Sequence, residues 1–72
     1  MASTRVRNNI RKLRFEHDEM TQQALAEGVG VTRQTIVAIE KEKYSPSLEV
    51  AFRIAAVFDE PLDAVFRYAE DE

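Results

Sequence analysis

The sequence predicts an all-α fold of five short helices, and three observations point to it. Apolar residues recur at helical spacing in separate short segments. Capping residues and a glycine punctuate those segments at the offsets where helices start and stop. The chain has only 72 residues, so it is read as one domain over 1–72 with little room for anything else.

The first helix is expected from about Arg7 to His17, with Val6, Ile10 and Leu13 on its apolar stripe and Phe15 covering one end. Arg5, Arg7, Arg11 and Lys12 fall off that stripe and read first as solubilising charge. His17-Asp18-Glu19 breaks the pattern. Thr21 is then a good N-cap for a second helix carrying Ala24, Leu25 and Val29, and Gly30 suits its end because glycine accepts positive φ. Thr32 caps a third helix running to about Lys41, with Val31 and Ile36 placed as a hydrophobic staple and Ile36 and Ile39 facing inward. Tyr44-Ser45-Pro46-Ser47 is a turn. Ser47 caps a fourth helix, with Glu49 in its first turn. Leu48, Ala51, Phe52, Ile54, Ala55 and Phe58 make that helix apolar around much of its circumference, so it is expected to be the central core helix. A short fifth helix follows Pro61, from about Leu62 to Phe66, and the acidic end beyond it is expected to fray.

Composition narrows the function. With no cysteine, a disulfide framework, thiol catalysis and a cysteine-based zinc site are excluded. No apolar run approaches the roughly 18 residues of a membrane span, and the first residues lack the apolar stretch of a secretory signal, so the expected location is the cytoplasm. The lone His17, with Asp18 and Glu19 beside it, lacks the converging ligands of a metal site. Ser45 and Ser47 have no histidine partner, and Gly28-x-Gly30 is not a phosphate loop. No enzyme, metal or cofactor is expected. The net charge of −3 is unevenly spread: residues 1–44 carry eight basic against six acidic side chains, and residues 45–72 two against seven. A weakly basic front and an acidic back suit a molecule that turns one face to phosphates.

Two short helices meeting at Gly30 form a helix-turn-helix pattern over 21–40. Ala26 is small where the helices must cross. Thr32, Arg33, Gln34, Thr35 and Ala38 are left on the outer face of the second of them. Arg can bond guanine O6 and N7, and Gln can bond adenine N6 and N7, so that face is chemically equipped to read base edges in a major groove.

Met20-Thr21-Gln22-Gln23-Ala24-Leu25-Ala26, Gly30-Val31-Thr32-Arg33-Gln34-Thr35-Ile36 and Ile39-Glu40-Lys41 resemble the Cro/C1-type repressors, and the likeness continues through Lys43-Tyr44-Ser45-Pro46-Ser47-Leu48-Glu49 to Phe66. The resemblance covers roughly residues 6–68 and is nearest to short stand-alone members. It implies that Gln22 bonds a phosphate and braces the third helix. Thr32, Arg33, Gln34, Thr35 and Ala38 would face bases or nearby phosphates, and Lys41, Lys43 and Tyr44 the backbone. Arg14 and Glu40 match a pair that is a structural salt bridge in relatives. The chain ends would pair as short strands around Arg5 to Arg7 and Phe66 to Tyr68. Four departures stand out: an extra residue between Leu13 and Thr21, Ala24 in place of the capping-box Glu, Gly28 inside a helix, and Glu42 where Gly usually follows the third helix.

The resulting expectation is a double-stranded DNA-binding transcriptional regulator, a repressor acting as a homodimer on an inverted repeat. Phe66 and Tyr68 are the expected dimer anchors. Two alternatives remain: an antitoxin that binds operator and toxin, or a protein-interaction module without DNA binding.

Overall fold

The computed structural model describes residues 4–70. The chain runs β1 (Val6–Asn8), α1 (Ile10–Glu16), α2 (Gln22–Val29), α3 (Arg33–Glu40), α4 (Leu48–Val57), α5 (Leu62–Val65) and β2 (Phe66–Tyr68). The strands pair antiparallel, Val6 opposite Tyr68 and Asn8 opposite Phe66, and the Ala69 N–H extends the ladder by donating to the Arg5 carbonyl (2.8 Å). The first helix is therefore shorter than its apolar spacing suggests. Val6 to Asn8 go to a strand because a partner strand from the far end of the chain is available for their backbone groups. The same pairing ends α5 at Val65, one residue before the expected limit.

Caps define the middle helices. Thr21 Oγ1 accepts from the Ala24 N–H (2.9 Å), Thr32 Oγ1 from the Thr35 N–H (3.2 Å) and Ser47 Oγ from the Val50 N–H (3.2 Å). Gly30 lies at φ +86° and closes α2, its N–H donating to the Ala26 carbonyl (2.8 Å) with Val31 N–H close behind (3.0 Å). The link between α1 and α2 turns through Asp18 and Glu19, both at positive φ (57° and 53°).

The core is built from Ile10, Leu13, Leu25, Ala26, Val29, Ile36, Ile39, Ile54, Ala55, Phe58 and Val65. One aromatic expected in the core lies outside it. Phe52 is 54% exposed, with Leu48 also at the surface one helical turn away. The buried stripe of α4 is Ala51, Ile54, Ala55 and Phe58, whose 3–4–7 spacing faces the other helices and leaves the Leu48–Phe52 ridge outside. Phe15 is likewise at the surface (69% exposed) rather than over an end of α1. His17 instead covers that end of the core, its ring edge-on to Phe58 at 5.2 Å and its Nδ1 2.8 Å from the Leu13 carbonyl oxygen. Among the described residues, no helix is long and apolar enough to cross a membrane.

Candidate DNA interface

The crossing of α2 and α3 is set by size. Ala26 is completely buried at the crossing, and the Gly30 turn redirects the chain without a side chain in the way. Val31 then packs against the core to which Ile36 belongs, which fixes the entry angle of α3. What remains outside is the start of α3: Thr32, Arg33 and Gln34 are exposed, and Thr35 and Ala38 are half-buried beside them. Thr32 and Thr35 are also tied to each other, their hydroxyl oxygens 3.0 Å apart, so their side chains are held in place before any contact is made. Arg33 has no ion-pair partner among the described residues.

A polar brace stands behind this face. Arg14 of α1 donates from Nε to Glu40 Oε2 (2.7 Å), from Nη2 to Glu40 Oε1 (3.2 Å) and from Nη1 to the Met20 carbonyl (2.8 Å). Gln22, the first residue of α2, donates from Nε2 to the same Glu40 Oε1 (3.3 Å). The Glu40 carboxylate at the end of α3 thus holds α1 through Arg14 and the start of α2 through Gln22, and Arg14 carries the tie on to the α1–α2 link. The planar guanidinium fork matches the carboxylate geometry, which lysine could not do.

Beyond α3, Lys41 and Lys43 are exposed and Tyr44 is largely so. Glu42 sits between them at φ +60°, a conformation that favours glycine. Its carboxylate lies 3.4 Å from Arg7 Nη1 of β1, so its charge is partly neutralised rather than left bare next to the lysines. Sequence reasoning missed this pairing, and it missed Asn8. The Asn8 side chain accepts from the Ile10 N–H (3.1 Å) and donates to the Ile39 carbonyl (2.9 Å), tying the junction of β1 and α1 to α3. The bond to Ile10 is local, but the second partner is 31 residues away and leaves no trace in the nearby sequence. Of the expected dimer anchors, Tyr68 is exposed and Phe66 is half-buried against the core.

A capped, glycine-hinged pair of short helices with a polar second helix at the surface defines a helix-turn-helix domain. A helix-turn-helix family model matches residues 10–65, and the chain belongs to that family, the Cro/C1-type DNA-binding transcriptional regulators, which are not enzymes. An uncharacterised HTH-type transcriptional regulator of Methanocaldococcus jannaschii is 46% identical over 67 residues, covering 93% of this chain and all of that one. The cryptic phage CTXphi transcriptional repressor RstR of Vibrio cholerae is 38% identical over 55 residues, 76% of this chain and 49% of the repressor. The crystal structure of a Bacteroides fragilis protein superposes with a TM-score of 0.74 over 86% of this chain and 98% of its own. At 24% identity that likeness speaks for the fold alone.

Proposed function

We propose that this protein is a sequence-specific double-stranded DNA-binding repressor that works as a homodimer on an inverted-repeat operator and blocks polymerase by occlusion. The observation that carries the reading is the start of α3, where an unpaired Arg33 and a Gln34 project beside two mutually bonded threonines. Arg33 and Gln34 read bases, Thr32, Thr35 and Ala38 line the same edge, and Gln22, Lys41, Lys43 and Tyr44 hold the backbone. The likeness to a phage repressor supports repression over activation. A single module reads few base pairs, so two copies on half-sites about 34 Å apart supply the missing specificity.

Two substitutions test the assignment of roles. Arg33→Ala should cost about 1–3 kcal/mol of binding and relax preference at one base position. Lys43→Ala should weaken all duplexes alike and lower the salt slope by about one. The opposite pattern would invert the assignment. For the dimer, Tyr68 is the anchor and Phe66 supports it from the core side. Tyr68 is 62% exposed, so Tyr68→Ala should convert dimer to monomer in sedimentation without unfolding the chain. A Tyr68→Ala protein that stays dimeric moves the interface elsewhere.

A further inference from the structure

The pairing of the chain ends leaves one sheet edge open. In an antiparallel pair, residues that exchange main-chain bonds alternate with residues whose N–H and C=O groups point away from each other. The Ala69 N–H donates to the Arg5 carbonyl (2.8 Å) and the Asn9 N–H to the Val65 carbonyl (2.8 Å), so Arg7 and Arg67 are the bonded pair between them. Phe66 and Tyr68 therefore turn their main-chain groups outward, off the far side of β2. The Leu62 carbonyl takes the Phe66 N–H. The Phe66 carbonyl, both main-chain groups of Tyr68 and the Glu70 N–H, next in the same row, have no partner among the described residues. Tyr68 is 62% exposed on this edge, and Arg67 and Glu70 are exposed beside it. The opposite edge, on β1, is blunted: the Val6 N–H is bonded to Thr4 Oγ1 (3.2 Å), and Asn8 is held to Ile39 of α3.

We propose that β2 pairs edge to edge with β2 of a second copy, antiparallel about a two-fold axis at Tyr68, so that one four-stranded sheet runs across the homodimer. The inference rests on the proposed homodimer and specifies how Tyr68 anchors it. A second copy is the occupant because the edge is complementary to itself. With Tyr68 opposite its own counterpart, the two Tyr68 residues exchange both N–H···O=C bonds. Each Glu70 N–H then meets the Phe66 carbonyl of the other copy, and every open group on the edge is used. The two Tyr68 rings face each other on one side of the sheet. The neighbouring register, with Phe66 opposite Tyr68 of the second copy, fails twice. It needs the Phe66 N–H that Leu62 already holds, and it sets Arg67 directly against Arg67 of the second copy, where like charges repel. In the chosen register Arg67 lies opposite Ala69 instead. An edge this short buries little surface, so the dimer forms in a concentration-dependent equilibrium.

Glu70→Pro and Glu70→Ala in the full chain separate main-chain pairing from side-chain contact. Both remove the same carboxylate, but only proline removes the outward N–H and sets a ring on the edge. Neither removes a bond to β1, because the Glu70 N–H is not part of that ladder. In sedimentation over a concentration series, Glu70→Ala should dimerise like the wild type and Glu70→Pro at least roughly tenfold more weakly. In the wild type, hydrogen exchange at the Tyr68 amide should slow as concentration rises through the dimer transition. Equal dimerisation of the two Glu70 variants, with Tyr68→Ala monomeric, would overturn the edge pairing and leave the Tyr68 dimer standing. A Tyr68 amide that exchanges at the same rate in monomer and dimer would overturn it whatever the variants do. A wild type that stays monomeric would remove the homodimer and this pairing together, and leave the open edge to a strand of another protein.

Discussion

Replacing Glu40 by alanine probes the brace behind the DNA face, and its cost follows from the geometry. The Arg14 and Glu40 side chains are 16% and 10% exposed, so the pair is neither fully buried nor at the surface. Breaking a fully buried pair costs about 3–5 kcal/mol, because one charge is stranded, whereas an exposed pair contributes about 0–1 kcal/mol. Arg14 would keep its bond to the Met20 carbonyl but lose both bonds to the carboxylate, and Gln22 would lose its acceptor. We expect a loss of about 2–3 kcal/mol, between the two limits. A domain this size holds roughly 4–11 kcal/mol in total, so the loss is a large fraction of it. Thermal unfolding followed by circular dichroism should show Tm lowered by roughly 10–20 °C. A double-mutant cycle with Arg14→Met should return a coupling above about 1 kcal/mol. A Glu40→Ala loss below about 0.5 kcal/mol with no coupling would refute the reasoning.

Other substitutions give sharper contrasts, each read by the same unfolding assay. The Glu49–Arg53 pair is 74% and 56% exposed, so Glu49→Ala should cost under about 0.5 kcal/mol despite its 2.7 Å contact. Gly28→Ala should stabilise by about 0.5–1 kcal/mol, since the added methyl would meet Val57 Cγ2 at an ordinary 3.4 Å inside a helix. Gly30→Ala should destabilise by about 1 kcal/mol or more, because φ is +86° and the new Cβ would press on Arg53 Nη1 at 3.3 Å, the atom that donates to the Val29 carbonyl. Asn8→Ala should cost about 1–2 kcal/mol through its lost bonds to Ile10 and Ile39, and a neutral result would show that strand β1 docks without it.

The helix-turn-helix was legible because its signals are local. Thr21, Gly30 and Thr32 act on backbone groups within five residues of themselves, and Ala26 is small where a crossing needs it. The width of a buried stripe is not local. Periodicity alone cannot say that α4 buries Ala51, Ile54, Ala55 and Phe58 while leaving Phe52 outside, because that depends on which helices pack against it. The end strands are three residues each and exist only through each other, so no periodicity in Val6–Asn8 announces them. The resemblance suggested the pairing one residue early on the N-terminal side. The outward placement of Arg33 and Gln34 at the start of α3 was legible from their polarity beside the apolar stripe. The Arg7–Glu42 and Asn8–Ile39 contacts join distant segments and became visible only in three dimensions.

Base readout by α3 is the central claim, and the most direct test is selection of bound duplexes from a random pool, with the affinity of the winners followed against salt. Enrichment of an inverted repeat, bound far more tightly than pool DNA and losing preference at one position in Arg33→Ala, is the predicted result. A folded protein that enriches no sequence at low salt would contradict it.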